Sequence, residues 1–255
     1  MSTILAAVDR TPTARPVLET ARLLARTFHA DAEALHVVAL GEDPPANLAA
    51  TAGMPLRILT GDPVEVICDA VADHVDLVVL GARRAPSDGR PVGHVAFDVM
   101  TRLEVPVVVV PPDAWEHLPH TLKKALVPLD AATADTPILQ AALAALADAG
   151  AEVVVLHVVD EPPRFLDHPE RDLDEWAHQR VGRHLPVAAR TEIRTGGKGR
   201  NALMVAAAEQ VDLIVLAWSR RLDAGHAAIV RDILNRACVP VLLLPLSGQV
   251  GPLTR

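Results

Sequence analysis

Short apolar runs, separated by turn residues, recur along this chain. Ile4 to Val8 is continuously apolar and ends at Asp9. A run this short predicts a strand buried on both faces, as in a parallel sheet. Thr11-Pro12-Thr13 then offers hydroxyl caps and a proline start, after which Val17, Ala21, Leu24, Ala25 and Phe28 follow at helical spacing. Residues 34–40 and 56–59 read as the second and third strands. Gly61-Asp62-Pro63 opens a helix carrying Val66, Ile67, Ala70 and Val71. Residues 76–80 form a fourth strand, 95–103 a further helix and 106–110 a fifth strand. The order β-α-β-β-α-β-α-β predicts an open parallel sheet with helices on both faces.

The same pattern then returns. Ile4-Leu5-Ala6-Ala7-Val8-Asp9 corresponds to Ala125-Leu126-Val127-Pro128-Leu129-Asp130, and Leu35-His36-Val37-Val38 to Leu156-His157-Val158-Val159. Asp76-Leu77-Val78-Val79-Leu80 corresponds to Asp212-Leu213-Ile214-Val215-Leu216. Val105-Pro106 with its valine run corresponds to Val239-Pro240 with its leucine-rich run. A repeat of half the chain means a duplicated domain and not a solenoid. The expected units are 1–112 and 123–247, joined by a linker at 113–122 within the proline-containing stretch from Pro111 to Lys124. The offset between equivalent residues grows from 121 at Asp9/Asp130 to 136 at Asp76/Asp212, which places extra residues in 161–189. There Leu173, Trp176, Ala177, Arg180, Val181 and His184 predict a helix over 170–185 that the first unit lacks, where 41–55 reads as a loop.

The fold class is therefore α/β. Two tandem open parallel five-stranded sheets are expected, each Rossmann-like or flavodoxin-like. A strand as apolar as Val107-Val108-Val109-Val110 or Val241-Leu242-Leu243-Leu244 is an aggregation hazard at a bare sheet edge. Antiparallel pairing of the two edges across a pseudo-twofold axis, an intramolecular pseudo-dimer, removes both edges. Covering of each edge by its own linker segment is the alternative.

Composition narrows the function classes. Half the residues are hydrophobic, with no Tyr, three Phe and three Trp. The core is thus aliphatic, and a stacking platform for single-stranded nucleic acid is not expected. The net charge of −8 argues against a phosphate-backbone footprint. No apolar run reaches the length of a membrane span, and no basic segment followed by an apolar stretch marks a signal peptide, so a cytoplasmic location is expected. Cys68 and Cys238 lie in apolar settings and read as small buried hydrophobes, with no metal-ligand spacing around them.

Candidate chemistry follows from the sheet. In an open α/β sheet, ligands bind at the carboxyl ends of the strands where the winding reverses. Asp9 ends the first strand, Gly81 ends the fourth, and Gly93 precedes the last helix, whose amides favour an anion. An acid for hydroxyl groups, glycines for close approach and a helix N-terminus suit a nucleotide; a solvated acid with ordinary turn glycines is the bland alternative.

Leu80-Gly81 followed by Gly93-His94-Val95-Ala96 and Val105-Pro106-Val107-Val108-Val109-Val110-Pro111 resembles the universal stress protein family. So do Leu35-His36-Val37-Val38, the Thr60-Gly61-Asp62-Pro63 turn and the strand-terminal Asp9. The resemblance covers both halves and implies an adenine nucleotide alpha hydrolase-like fold and a stress-response module. It also implies an ATP-type site held by Asp9, Val38, Gly81, Arg84, Gly93, His94 and Val95. ATP-binding members carry Gly-x2-Gly-x9-Gly-Ser/Thr after the fourth strand. Here Arg84 stands at the second glycine, Gly93 lies one position short of the third, and His94 replaces the hydroxyl residue. In the second half Ala217, Arg220, Ala227 and Ala228 occupy the four places, so that half is expected to be degenerate.

Arg83-Arg84 and Arg220-Arg221 read first as solvated loops, with anion contact or obstruction of the phosphate site as alternatives. His36 and His157 read as satisfied core histidines. Thr195-Gly196-Gly197-Lys198-Gly199 lacks phosphate-loop spacing and reads as the turn into the next helix. No nucleophile elbow, Ser/His/Asp order or paired carboxylates occur, so the chain is not expected to be an enzyme. Two alternatives stand beside the nucleotide module. One is a ligand-free scaffold presenting Trp176 and the acidic extra helix to an unknown protein partner. The other is a slow ATP hydrolase in which Asp9 orients a magnesium-bound water. Further homodimerisation is left open.

Overall fold

The structure is a computed structural model. The structure describes residues 2–11, 14–42, 52–82, 92–114, 118–129, 136–159, 189–221 and 228–247. The first half runs β1 (Thr3–Val8), α1 (Ala14–Phe28), β2 (Asp31–Val38), β3 (Leu56–Thr60), α2 (Pro63–His74), β4 (Leu77–Gly81), α3 (His94–Arg102) and β5 (Val107–Val110). The second runs β6 (Lys124–Leu129), α4 (Pro137–Asp148), β7 (Glu152–Val159), β8 (Ala189–Thr195), α5 (Lys198–Ala208), β9 (Leu213–Trp218), α6 (Ala228–Arg236) and β10 (Val241–Pro245). This is the expected alternation, twice. The helix expected over 170–185 lies outside the described residues, as does Trp176.

One point is corrected. The strands do not form two five-stranded sheets but one of ten, in the order β3-β2-β1-β4-β5-β10-β9-β6-β7-β8. β5 and β10 pair antiparallel, Val107 to Leu243, Val108 to Leu242 and Val109 to Val241, while every other pairing given for the sheet is parallel. The physical reason is the edge hazard: the free amides and carbonyls of one terminal strand are satisfied by the other, and the seam vanishes into the sheet. The four valines of β5 are at most 1% exposed, which is why the run is apolar at every position and does not alternate.

Successive side chains of each strand point to opposite faces, giving two cores. α1 and α4 cover one face, with Ala114 and Leu122 of the linker buried beside them. α2, α3, α5 and α6 cover the other. The linker is thus packed onto α1, and Arg26 Nε donates to the carbonyl of His120 at 3.0 Å. The duplication extends to the starts of the strands. Asp76 Oδ2 accepts the amide of Thr3 at 2.9 Å, and its counterpart Asp212 Oδ2 accepts those of Lys123 and Lys124 at 2.8 and 3.0 Å.

The winding gives the site its place. From β1 the chain proceeds to β2 and β3 on one side, then crosses to β4 on the other. The carboxyl ends of β1 and β4 therefore border the switch point, with α2 and α3 starting beside it.

Candidate functional site

A cavity of about 320 Å³ opens at this switch point. Asp9, Gly81, Gly93, His94 and Val95, all singled out from the sequence, line it together. Val38 is not among its lining residues. It ends β2 buried, and its carbonyl accepts the Gly61 amide at 3.1 Å. Arg84, with all of 83–91, lies outside the described residues. The apolar walls were not foreseen: Leu35 and Val37 from β2, Ala14 and Val17 from α1, Pro63 and Ile67 from α2, and Val92. The signal for the α2 pair was present, since a proline just after a capping Asp marks a first turn at the switch point and Ile67 follows four residues on.

The two helices that start at the cavity differ in what their amides do. A helix leaves its first amides without intrahelical partners. In α2 the N-cap Asp62 supplies them: Oδ1 accepts from Val64 at 3.0 Å and from Glu65 at 3.2 Å. In α3 the N-cap is Gly93, which has no side chain, and no side-chain cap bond forms. Its φ of 86° and ψ of 163° fall in a region open essentially only to glycine. Glycine here serves geometry: it turns the buried Val92 into the helix so that the first turn of α3 borders the cavity. The amides of that turn, with the positive end of the helix dipole, favour an anion.

Asp9 is held in place. Its Oδ1 accepts the Thr11 amide at 2.9 Å and the Thr11 hydroxyl at 2.5 Å. Behind it, His36 Nδ1 lies 2.9 Å from the Val8 carbonyl. A carbonyl only accepts, so Nδ1 carries the proton. Among the described residues Nε2 is buried with no hydrogen-bond partner, so His36 is bonded at one nitrogen only, where the sequence expectation was a satisfied ring. His157 repeats the contact with the Leu129 carbonyl at 3.3 Å. Because the bond recurs in the half that has lost its glycines, it serves the end of the first strand in each half rather than a ligand. His94 Nε2 lies 3.2 Å from Asp98 Oδ2, one turn along α3.

The second half departs from the first at the end of β9. Ala217 stands where Gly81 stands in the first. Arg220, at the second glycine position, keeps a left-handed backbone (φ 61°). Its side chain is partly buried: Nη1 lies 3.3 Å from Glu104 Oε1, across the seam, and Nη2 donates to Ser247 Oγ at 3.1 Å. Gly196, at φ 102°, forms the expected turn from β8 into α5. The cap of α5 is Gly197, which makes no side-chain bond.

Neither cysteine is a fully buried hydrophobe. Cys68 on α2 is partly buried, and desolvation raises its thiol pKa. Cys238 is exposed, in the turn between α6 and β10. Among the described residues no group of three or more His, Cys, Asp or Glu could hold a metal ion, and no helix is long and apolar enough to cross a membrane.

Comparison with known proteins places this architecture. The family model described as "Universal stress protein family" matches residues 49–111 and 121–245. No curated protein sequence matches the chain. Among solved structures, a universal stress protein from Archaeoglobus fulgidus DSM 4304 superposes with a TM-score of 0.69 at 16% identity, covering 96% of this chain and 98% of its own. A functionally unknown protein from Pseudomonas aeruginosa PAO1 does so with a TM-score of 0.66 at 15% identity, covering 97% of this chain and 93% of its own. At such identity the likeness is one of fold.

Proposed function

Given that the chain belongs to the universal stress protein family, we propose that it is a stress-response regulatory module with a single nucleotide-type site, in its first half. The observation that carries this reading is the cavity at the switch point, where Asp9, Gly81 and the uncapped N-terminus of α3 converge. The walls fit an ATP-type ligand in part. Leu35, Val37 and Ile67 offer an apolar slot for a base, Asp9 an acceptor for hydroxyl groups, and the first turn of α3 a seat for phosphate. The second half is a structural partner: Ala217 replaces the glycine and Arg220 is engaged across the seam.

No catalysis is proposed. Among the described lining residues the titratable groups are Asp9, which accepts from the Thr11 hydroxyl, and His94, which lies beside Asp98. The module would act in the cytoplasm through a protein partner, with no role for nucleic acid or membrane.

The test is thermal unfolding with and without millimolar ATP. A ligand that binds only the native state raises its stability by mass action. The unmodified chain is expected to be stabilised, and Asp9→Ala to lose that stabilisation while keeping its fold. No stabilisation of the unmodified chain would favour the ligand-free scaffold instead.

A further inference from the structure

We propose that the outer edge of β3 pairs with β3 of a second copy of this chain, antiparallel about a twofold axis, so that two ten-stranded sheets join into one. This goes beyond the nucleotide reading and does not depend on it. β3 and β8 stand at the two ends of the strand order. Alternate residues of a parallel strand bond to the neighbour on one side, and the residues between them face the other way. The Pro55 carbonyl accepts the Ala34 amide at 2.7 Å, and the Gly61 amide donates to the Val38 carbonyl at 3.1 Å. The backbone groups of 55, 57, 59 and 61 therefore face β2, and those of Leu56, Ile58 and Thr60 point outward. Ile58 is 42% exposed and Thr60 is exposed too, so this edge meets solvent.

The two outer edges carry different chemistry. Gly61 and Gly196 align Leu56-Arg57-Ile58-Leu59-Thr60 of β3 with Thr191-Glu192-Ile193-Arg194-Thr195 of β8. β8 has Thr191 for Leu56 and Arg194 for Leu59. Its charges form a network: Arg190 Nη1 lies 3.1 Å from Glu192 Oε2 and Nη2 2.7 Å from Glu209 Oε2, and Arg194 is paired with Glu192. Charged side chains of this kind blunt an edge against pairing. β3 has one charge, Arg57, and Glu33 of its own chain matches it at 3.1 Å. The strand is also complementary to itself. With Ile58 on the axis, Ile58 faces the partner subunit's Ile58, Leu56 the partner's Thr60 and Arg57 the partner's Leu59, so no like charges are opposed. The β5–β10 seam shows that this fold joins two units by antiparallel pairing over three residues, as many as β3 turns outward. Twofold pairing through β3 closes at two chains, because the remaining end of each sheet is the charged β8.

The experiment is sedimentation equilibrium of the full chain without nucleotide. The mass of two chains is expected at about 50 μM, where association with a micromolar Kd is largely complete. Ile58→Lys sets like charges directly opposite each other and is expected to weaken association by about tenfold or more, while its circular dichroism stays that of the unmodified chain. Ile193→Lys, at the equivalent place in β8, is expected to leave the mass unchanged. A second variant reads the register itself. Opposed residues that exchange both backbone bonds have Cα atoms about 5.5 Å apart, within disulfide reach. Ile58→Cys under a mild oxidant is thus expected to form a covalent dimer that the unmodified chain and Ile193→Cys do not. The mass of one chain at that concentration overturns the proposal. So does a dimer that Ile58→Lys leaves intact, a dimer that Ile193→Lys dissolves, or an Ile58→Cys chain that stays uncrosslinked. None of these outcomes touches the nucleotide reading, which the thermal test decides separately.

Discussion

Replacing Gly93 by Ala tests how the cavity is built. Gly93 sits at φ 86° and ψ 163°, a conformation whose occupation by a residue with a Cβ costs about 1–3 kcal/mol. The chain cannot relax easily, because both neighbours are fixed. Val92 is 1% exposed, and the Gly93 carbonyl accepts the amide of Phe97 at 3.0 Å, closing the first turn of α3. For a chain of this length each kcal/mol moves the midpoint by about 2–4 °C, so Gly93→Ala is expected to lower it by roughly 2–12 °C. If the backbone yields instead, the first turn of α3 turns away from the cavity and ligand-induced stabilisation falls. Gly150→Ala is the control. Gly150 also has a positive φ, 78°, but a Cβ there meets nothing within 4 Å, and it lies far along the fold at the end of α4. It is expected to cost about 1–2 kcal/mol and to leave ligand stabilisation intact. Urea unfolding of both variants, with and without nucleotide, separates the cases. A Gly93→Ala protein with unchanged stability and unchanged ligand response would refute the argument from backbone geometry.

Two further predictions concern the frame. Leu242→Ala, at a fully buried position opposite Val108 in the seam, is expected to cost about 2–5 kcal/mol, and chemical denaturation should still show one transition, because the halves share a sheet; two separate transitions would contradict that. Glu209 is bonded to Arg190 and Lys124, and these cations hold its carboxyl below the usual carboxylate range. Its contribution is therefore present above the unfolded carboxylate pKa and lost as pH falls through the lower folded value. Glu209→Gln should flatten the acid limb of the stability profile and leave the shape near neutrality unchanged, as followed by urea midpoints across pH.

Much of the frame was legible because burial on both faces leaves a plain mark. Val107 to Val110 and Val241 to Leu244 are apolar at every position, and two such edges in one chain imply the pairing that the sheet displays. The fusion into ten strands is the part that two separately read repeats conceal. At the site, Asp9, Gly81 and Gly93 were legible because strand ends and helix starts at a switch point are fixed by topology. What escaped notice depends on contacts between distant parts of the chain. The bond from Arg220 to Glu104 needs the loop after β9 to face the end of α3 across the seam. The half-satisfied state of His36 depends on where the Val8 carbonyl falls in the neighbouring strand. The contrast between α2 and α3 lay in plain sight as Asp62 against Gly93, but its meaning required knowing that both helices start at one cavity.

The most direct test is amide hydrogen exchange of the whole chain with and without saturating ATP. Slowed exchange is predicted at His94, Val95 and Ala96, where the first turn of α3 receives the phosphate, with no change at Lys198, Gly199 and Arg200 at the start of α5. Protection at the α5 positions, or no protection at α3 under conditions where binding is saturated, would contradict a single site in the first half.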